Sequence, residues 1–160
     1  MQFYITNFGN MRYLTDDCIP ISTCMYDPPF FHNNTRNKNI CFVDHKNIMN
    51  GIREEALSQM QLKEEDCVCQ KDCIFKCTVP NCPFLNAYIH YLDTINFEYL
   101  LSEFQRTAEE VRMVTHFIGE PKIVLLVYEA VTNPCSERIA LIDYFKKHGI
   151  ELKEYKKSIV

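Results

Sequence analysis

Apolar residues run almost unbroken from position 122 to 128, with Ile123, Val124, Leu125, Leu126 and Val127 in succession. A strand with one wet face alternates apolar and polar positions. An unbroken β-branched and leucine run therefore predicts a central strand covered on both sides. Residues 2–5 do alternate, and Asn7, Phe8, Gly9 and Asn10 follow as a turn-forming set. This predicts a first strand and then a short helix or turn over 11–14. Residues 19–23 form a second strand, in which Pro20 lacks an N–H donor and belongs near an edge or a strand start. Shorter runs predict strands at 40–43 and 150–155.

Helical spacing recurs three times. Phe84, Leu85, Tyr88, Ile89 and Leu92 share one face of a helix. Asn96, a good N-cap, starts a longer helix in which Phe97, Leu100, Leu101, Phe104, Ala108 and Val111 form the buried stripe. That helix is expected to reach about residue 117, with Gly119 as its stop. Asn133 is placed to cap a third helix with Pro134 at its first position, where a missing N–H costs little. Ile139, Ala140, Ile142, Tyr144 and Phe145 fill its apolar side, and Gly149 ends it. Breakers at 27–31, a polar stretch at 33–39 and Asn50-Gly51 mark loops and turns. The order strand, helix, buried strand, helix, strand implies βαβ crossovers. The expected fold is a single α/β domain over 1–160 with a mostly parallel, Rossmann-like sheet flanked by helices, interrupted by a cysteine-rich inserted loop at 66–83.

With 160 residues, 47% hydrophobic and 24% charged, the chain can bury a sizeable core. No apolar run approaches the ~20 residues that span a bilayer. The N-terminus reads as a strand rather than a signal peptide, so a cytoplasmic protein with no membrane partner is expected. A net charge of −4 argues against sequence-independent nucleic-acid binding, which needs excess Lys and Arg. The pairs Lys146-Lys147 and Lys156-Lys157 read as solvated ends of a helix and a strand.

Composition changes the picture most at 67–82, where Cys67, Cys69, Cys73, Cys77 and Cys82 follow the spacing C-x-C-x3-C-x3-C-x4-C. The segment has no helix or strand period, which suits a loop organised by ligands. Four thiolates in a tetrahedron are a preferred zinc site, and binding would order a loop with little core of its own. The expected ligands are Cys69, Cys73, Cys77 and Cys82, with Cys67 as an alternative. A closed thiolate site of this kind is structural. An iron–sulfur cluster takes the same ligands, and unligated, reduced cysteines are the plainer alternative.

The second chemical feature follows the apolar strand, where Glu129 is succeeded by Asn133, Pro134, Cys135, Ser136, Glu137 and Arg138. Ligands of open α/β sheets bind beyond the carboxyl ends of the strands. A cysteine in the first helical turn has its thiolate favoured by the helix dipole, and backbone N–H groups there attract anions. Arg138 can hold a phosphate or carboxylate bidentately. Glu129 can accept hydrogen bonds from a base or sugar, or act as a general base. The plainer reading is a small buried Cys135 and a Glu129–Arg138 ion pair that fixes the turn.

Both ends of the chain resemble the family known as domain of unknown function 488. The residues that carry the likeness are Phe3-Tyr4-Ile5-Thr6-Asn7-Phe8-Gly9-Asn10 with Ile19-Pro20-Ile21-Ser22, and then the strand ending in Glu129 with Cys135 and Arg138. The family pattern there is Cys-His-Arg. This chain has Ser136 where His is usual, and its Arg lies one position later, so no role of that His carries over. The resemblance covers roughly half the chain and implies an α/β fold. It implies no activity.

These features point first to a small anionic or nucleotide-like ligand at the strand-to-helix pocket. Arg138, Cys135 and Ser136 would hold it at the helix start, Glu129 would read a polar group, and Asn7 and Ser22 would line the site from neighbouring strand ends. The alternative is a cysteine-dependent hydrolase or transferase with Cys135 as nucleophile and Glu129 as its base, although no histidine partner is evident. A nucleic-acid-associated accessory protein is a third reading, which the acidic balance disfavours.

Overall fold

The computed structural model describes residues 1–15, 17–23, 49, 52, 55, 58, 83–116, 118–127 and 137–156. Along these, the elements are β1 (Gln2–Asn7), a 3-10 helix (Phe8–Tyr13), β2 (Cys18–Ser22), α1 (Pro83–Leu92), α2 (Phe97–Thr115), β3 (Lys122–Val127), α3 (Arg138–Lys147) and β4 (Leu152–Glu154). The strands form one sheet in the order β2-β3-β1-β4, and every pairing is parallel. The expected α/β architecture with a parallel sheet and flanking helices is therefore present. Parallel neighbours cannot be joined by a tight hairpin, so each connection crosses a face of the sheet.

Those crossings explain the strand patterns. Ile123, Leu125 and Val127 share one face with Phe3, Ile5, Ile19, Ile21 and Leu152, and all three α-helices pack there. Val124 and Leu126 face the other way, where Phe8, Met11 and Leu14 of the 3-10 connection cover them. Both parities of β3 thus find apolar cover, and Ile123 through Val127 are wholly buried. On the helical face Phe3 meets Phe104 edge-on at 5.6 Å and Phe145 at 5.5 Å. Pro20 lies on β2, the outer strand on its side of the described sheet, where its missing donor interrupts no ladder.

The helix ends carry local chemistry. The Asn96 side chain accepts the Tyr99 N–H at 3.1 Å, as the cap expectation requires. At the far end α2 stops earlier than expected. His116 takes the left-handed conformation (φ 57°), and its N–H closes on the Arg112 carbonyl at 2.9 Å. Arg112 Nε then holds the Gly119 carbonyl at 2.9 Å, which turns the chain toward β3. Gly149, at φ 78°, ends α3 as predicted. Its N–H bonds the Lys146 carbonyl and the Ile150 N–H bonds that of Phe145, each at 3.0 Å, a Schellman closure.

The third helix is described over Arg138–Lys147 with Glu137 in the capping position, and the cap expected at Asn133 and the first position at Pro134 lie outside the described residues. Arg138 is the first residue of the described helix and is salt-linked to Glu154 of β4. The last strand keeps only Leu152–Glu154 in its ladder, although the Tyr155 N–H still reaches the Ile5 carbonyl at 2.8 Å. The strand expected at 40–43 and the cysteine loop up to Cys82 lie outside the described residues. Among the described residues no helix is long and apolar enough to cross a membrane.

Candidate functional site

Because all four strands run the same way, their carboxyl ends share one edge. The register sets Asn7 opposite Val127 and Ser22 opposite Leu126, so these two residues flank the end of β3 from its two sides. Two inter-strand spacings put their backbones roughly 10 Å apart. Next to Ser22, Thr23 ties the edge down. Its N–H and its hydroxyl both donate to the Leu126 carbonyl, at 3.1 and 2.9 Å.

On the other side of β3 polar groups gather as well. Asn10, on the 3-10 helix, donates from Nδ2 to Thr6 Oγ1 at 3.0 Å and to Asn7 Oδ1 at 2.9 Å. Thr6 is fully buried, and one register step away the end of β4 carries the Glu154 carboxylate. That carboxylate in turn meets Arg138. Nη2 donates to Oε1 at 3.3 Å, while Nε stands 2.9 Å from Oε2 as an ion contact without hydrogen-bond alignment. Two polar groups result, Asn7–Asn10–Thr6 at the 3-10 helix and Glu154–Arg138 at the first residue of α3. A Cβ at Gly9 would stand 3.1 Å from Asn7 Nδ2, a tight contact with the amide whose oxygen accepts from Asn10.

Burial sets the electrostatics of this edge. The Arg138 side chain is 7% exposed and that of Glu154 21%. Burial pushes the Glu154 carboxyl above the usual range. The Arg138 charge, the Thr6 hydroxyl and Lys156 pull it back only in part. The opposite edge carries a different pair, Lys122 Nζ to Asp17 at 2.9 Å, with the Lys122 N–H on the Asp17 carbonyl at 2.7 Å. There burial raises the Asp17 carboxyl, but bonds from Thr15 and Lys122 outweigh it and hold the group below the usual range. The neighbouring Cys18 thiol is buried and pushed up, so it stays protonated and unreactive at neutral pH. A cleft of about 250 Å³ lined by Met1, Gln2, Phe3 and Gly149 also lies at that amino-terminal edge, away from the polar groups of the carboxyl edge.

Of the residues expected at the site, Asn7, Ser22 and Arg138 are described and share the carboxyl edge. Glu129, Cys135 and Ser136 lie outside the described residues, as do Cys67, Cys69, Cys73, Cys77 and Cys82. Among the described residues no three His, Cys, Asp or Glu side chains gather as a metal site. Arg138 has a partner that the sequence reading did not anticipate, Glu154 of β4. Thr6 and Asn10 were missed as well. One signal for Glu154 was available: it lies two positions after Leu152, in phase with a core residue and so on the helical side of the sheet. Nothing local marked Asn10 as more than a turn residue.

No protein-family model, no curated protein and no solved structure matches this chain.

Proposed function

We propose that the carboxyl edge of the sheet binds a small anionic or nucleotide-like ligand. The observation that carries this reading is a buried arginine on the same edge as the hydrogen-bonded Asn7–Asn10–Thr6 set, where parallel α/β sheets keep their ligand sites. In it Arg138 supplies the positive charge. Asn7, its Oδ1 already accepting from Asn10, offers a fixed amide donor. Ser22 contributes from the far side of β3. Glu129, Cys135 and Ser136, which follow β3 in sequence, complete the proposed ligand set. The stretches that carry the family resemblance supply β1, β2 and β3, which supports treating this edge as the working end of a Rossmann-like sheet. A structural zinc on Cys69, Cys73, Cys77 and Cys82 is part of the same proposal and rests on their spacing.

Native mass spectrometry of the purified chain, set against its denatured mass and metal content, tests both parts. One zinc together with an organic mass of nucleotide size, the latter lost in Arg138→Gln, is the expected result. A chain that carries no organic mass, and whose amide resonances do not move with millimolar nucleotide or sulfate, refutes the ligand reading. A chain without metal refutes the zinc.

A further inference from the structure

An anion arriving at Arg138 meets a carboxylate already there. Glu154 sets one oxygen 2.9 Å from Nε and the other 3.3 Å from Nη2, which is how a bound sulfate, phosphate or carboxylate would span the same guanidinium. The backbone of Glu154 is fixed by its ladder position opposite Ile5, next to Thr6, whose hydroxyl accepts from Asn10. The charged groups acting on it are Arg138 from α3 and Lys156 beyond β4, while β1 contributes the uncharged Thr6. We infer that Glu154 is a built-in competitor, an internal anion that occupies Arg138 in the ligand-free protein and yields it when an oxyanion binds. The inference rests on the anion-binding reading above and adds its regulation.

Competition of this kind couples binding to a proton. A neutral Glu154 no longer opposes the incoming anion, so binding takes up a proton at this carboxyl and strengthens as pH falls. A single coupled proton allows at most about a tenfold gain in affinity per pH unit. Burial already holds this carboxyl above the usual range, so it accepts the proton more readily than a free glutamate does.

Sulfate is a suitable probe because it stays doubly charged across the range used. Its binding to the full chain is followed by amide chemical shifts at about pH 5.5 and about pH 8. Calorimetry in two buffers of different ionisation enthalpy counts the protons taken up. The wild-type protein should bind several-fold more tightly at the lower pH, with net proton uptake. Glu154→Gln should bind at the higher pH as tightly as wild type does at the lower, with its pH dependence largely gone, and Arg138→Gln should not bind. Sulfate binding without proton uptake, or with the same pH dependence in Glu154→Gln, overturns the competitor role and leaves the site standing. If neither wild type nor Glu154→Gln binds sulfate at either pH, the site falls too. Proton uptake in the wild type decides the matter even if the glutamine variant does not fold.

Discussion

Replacing Arg138 with Met, Glu154 with Met, and then both, would measure what the link between α3 and β4 contributes to stability. Exposed ion pairs contribute about 0–1 kcal/mol, whereas removing one member of a fully buried pair costs about 3–5 kcal/mol. At 7% and 21% exposure these side chains lie nearer the buried limit, so each single change should cost about 2–3 kcal/mol. Arg138→Met should be the worse of the two at neutral pH, because it strands a carboxylate where burial already disfavours the charge. The double variant removes both desolvated groups and should fall within about 1 kcal/mol of wild type, giving a coupling of about 2 kcal/mol or more. Urea unfolding followed by circular dichroism supplies the four free energies. A pH arm sharpens the test. Burial raises the folded Glu154 carboxyl above its unfolded value of 4.5, and Arg138→Met removes the charge that lowers it, so the rise should grow. Between those two values the folded state holds more protons than the unfolded state, so stability falls as pH rises. The deficit of Arg138→Met should therefore shrink as the pH is lowered toward 4.5. Single variants that each cost under about 0.5 kcal/mol, or costs that simply add in the double variant, would refute the reasoning.

Asp17→Asn should cost about 0.5–1 kcal/mol at neutral pH, since its bond to Lys122 is partly exposed. The folded Asp17 carboxyl titrates below its unfolded value of 3.8, so its contribution is lost as pH falls through the folded pKa, and the variant should converge on wild type in acid denaturation curves. Phe104→Ala empties a fully buried site beside Phe3 and should lower unfolding stability by about 3–5 kcal/mol, read from the urea midpoint at unchanged slope. His116→Gly relieves a left-handed non-glycine residue and should raise stability by about 0.5–1 kcal/mol, visible as a higher melting temperature.

What could be read from the sequence was what short-range physics decides. The β3 run, the Asn96 cap and the Gly149 stop each depend on a few adjacent residues, and each is present. The end of α2 was misplaced because a glycine nearby looked like the natural left-handed residue, whereas the closing bond to Arg112 falls on His116. The link between α3 and β4 is a tie that no local pattern encodes. Arg138 and Glu154 belong to different elements, and only the pairing of β4 with β1 brings the carboxylate to the helix start. For the same reason Asn7 and Ser22 could be assigned to neighbouring strand ends, but the hydrogen-bonded chain through Asn10 and Thr6 could not.

The strand order has a kinetic consequence. Gln2 pairs with Lys122, and Phe3 with Leu152, so β1 is flanked on both sides by strands made long after it. No partial product emerging from a ribosome can complete the sheet, and β1 must wait with both edges open until β3 appears. Contacts this distant in sequence make closure slow and leave apolar strand surface exposed meanwhile. This sheet should therefore close only once β3 and β4 have been made, and chains cut before β3 should be retained by chaperones or aggregate.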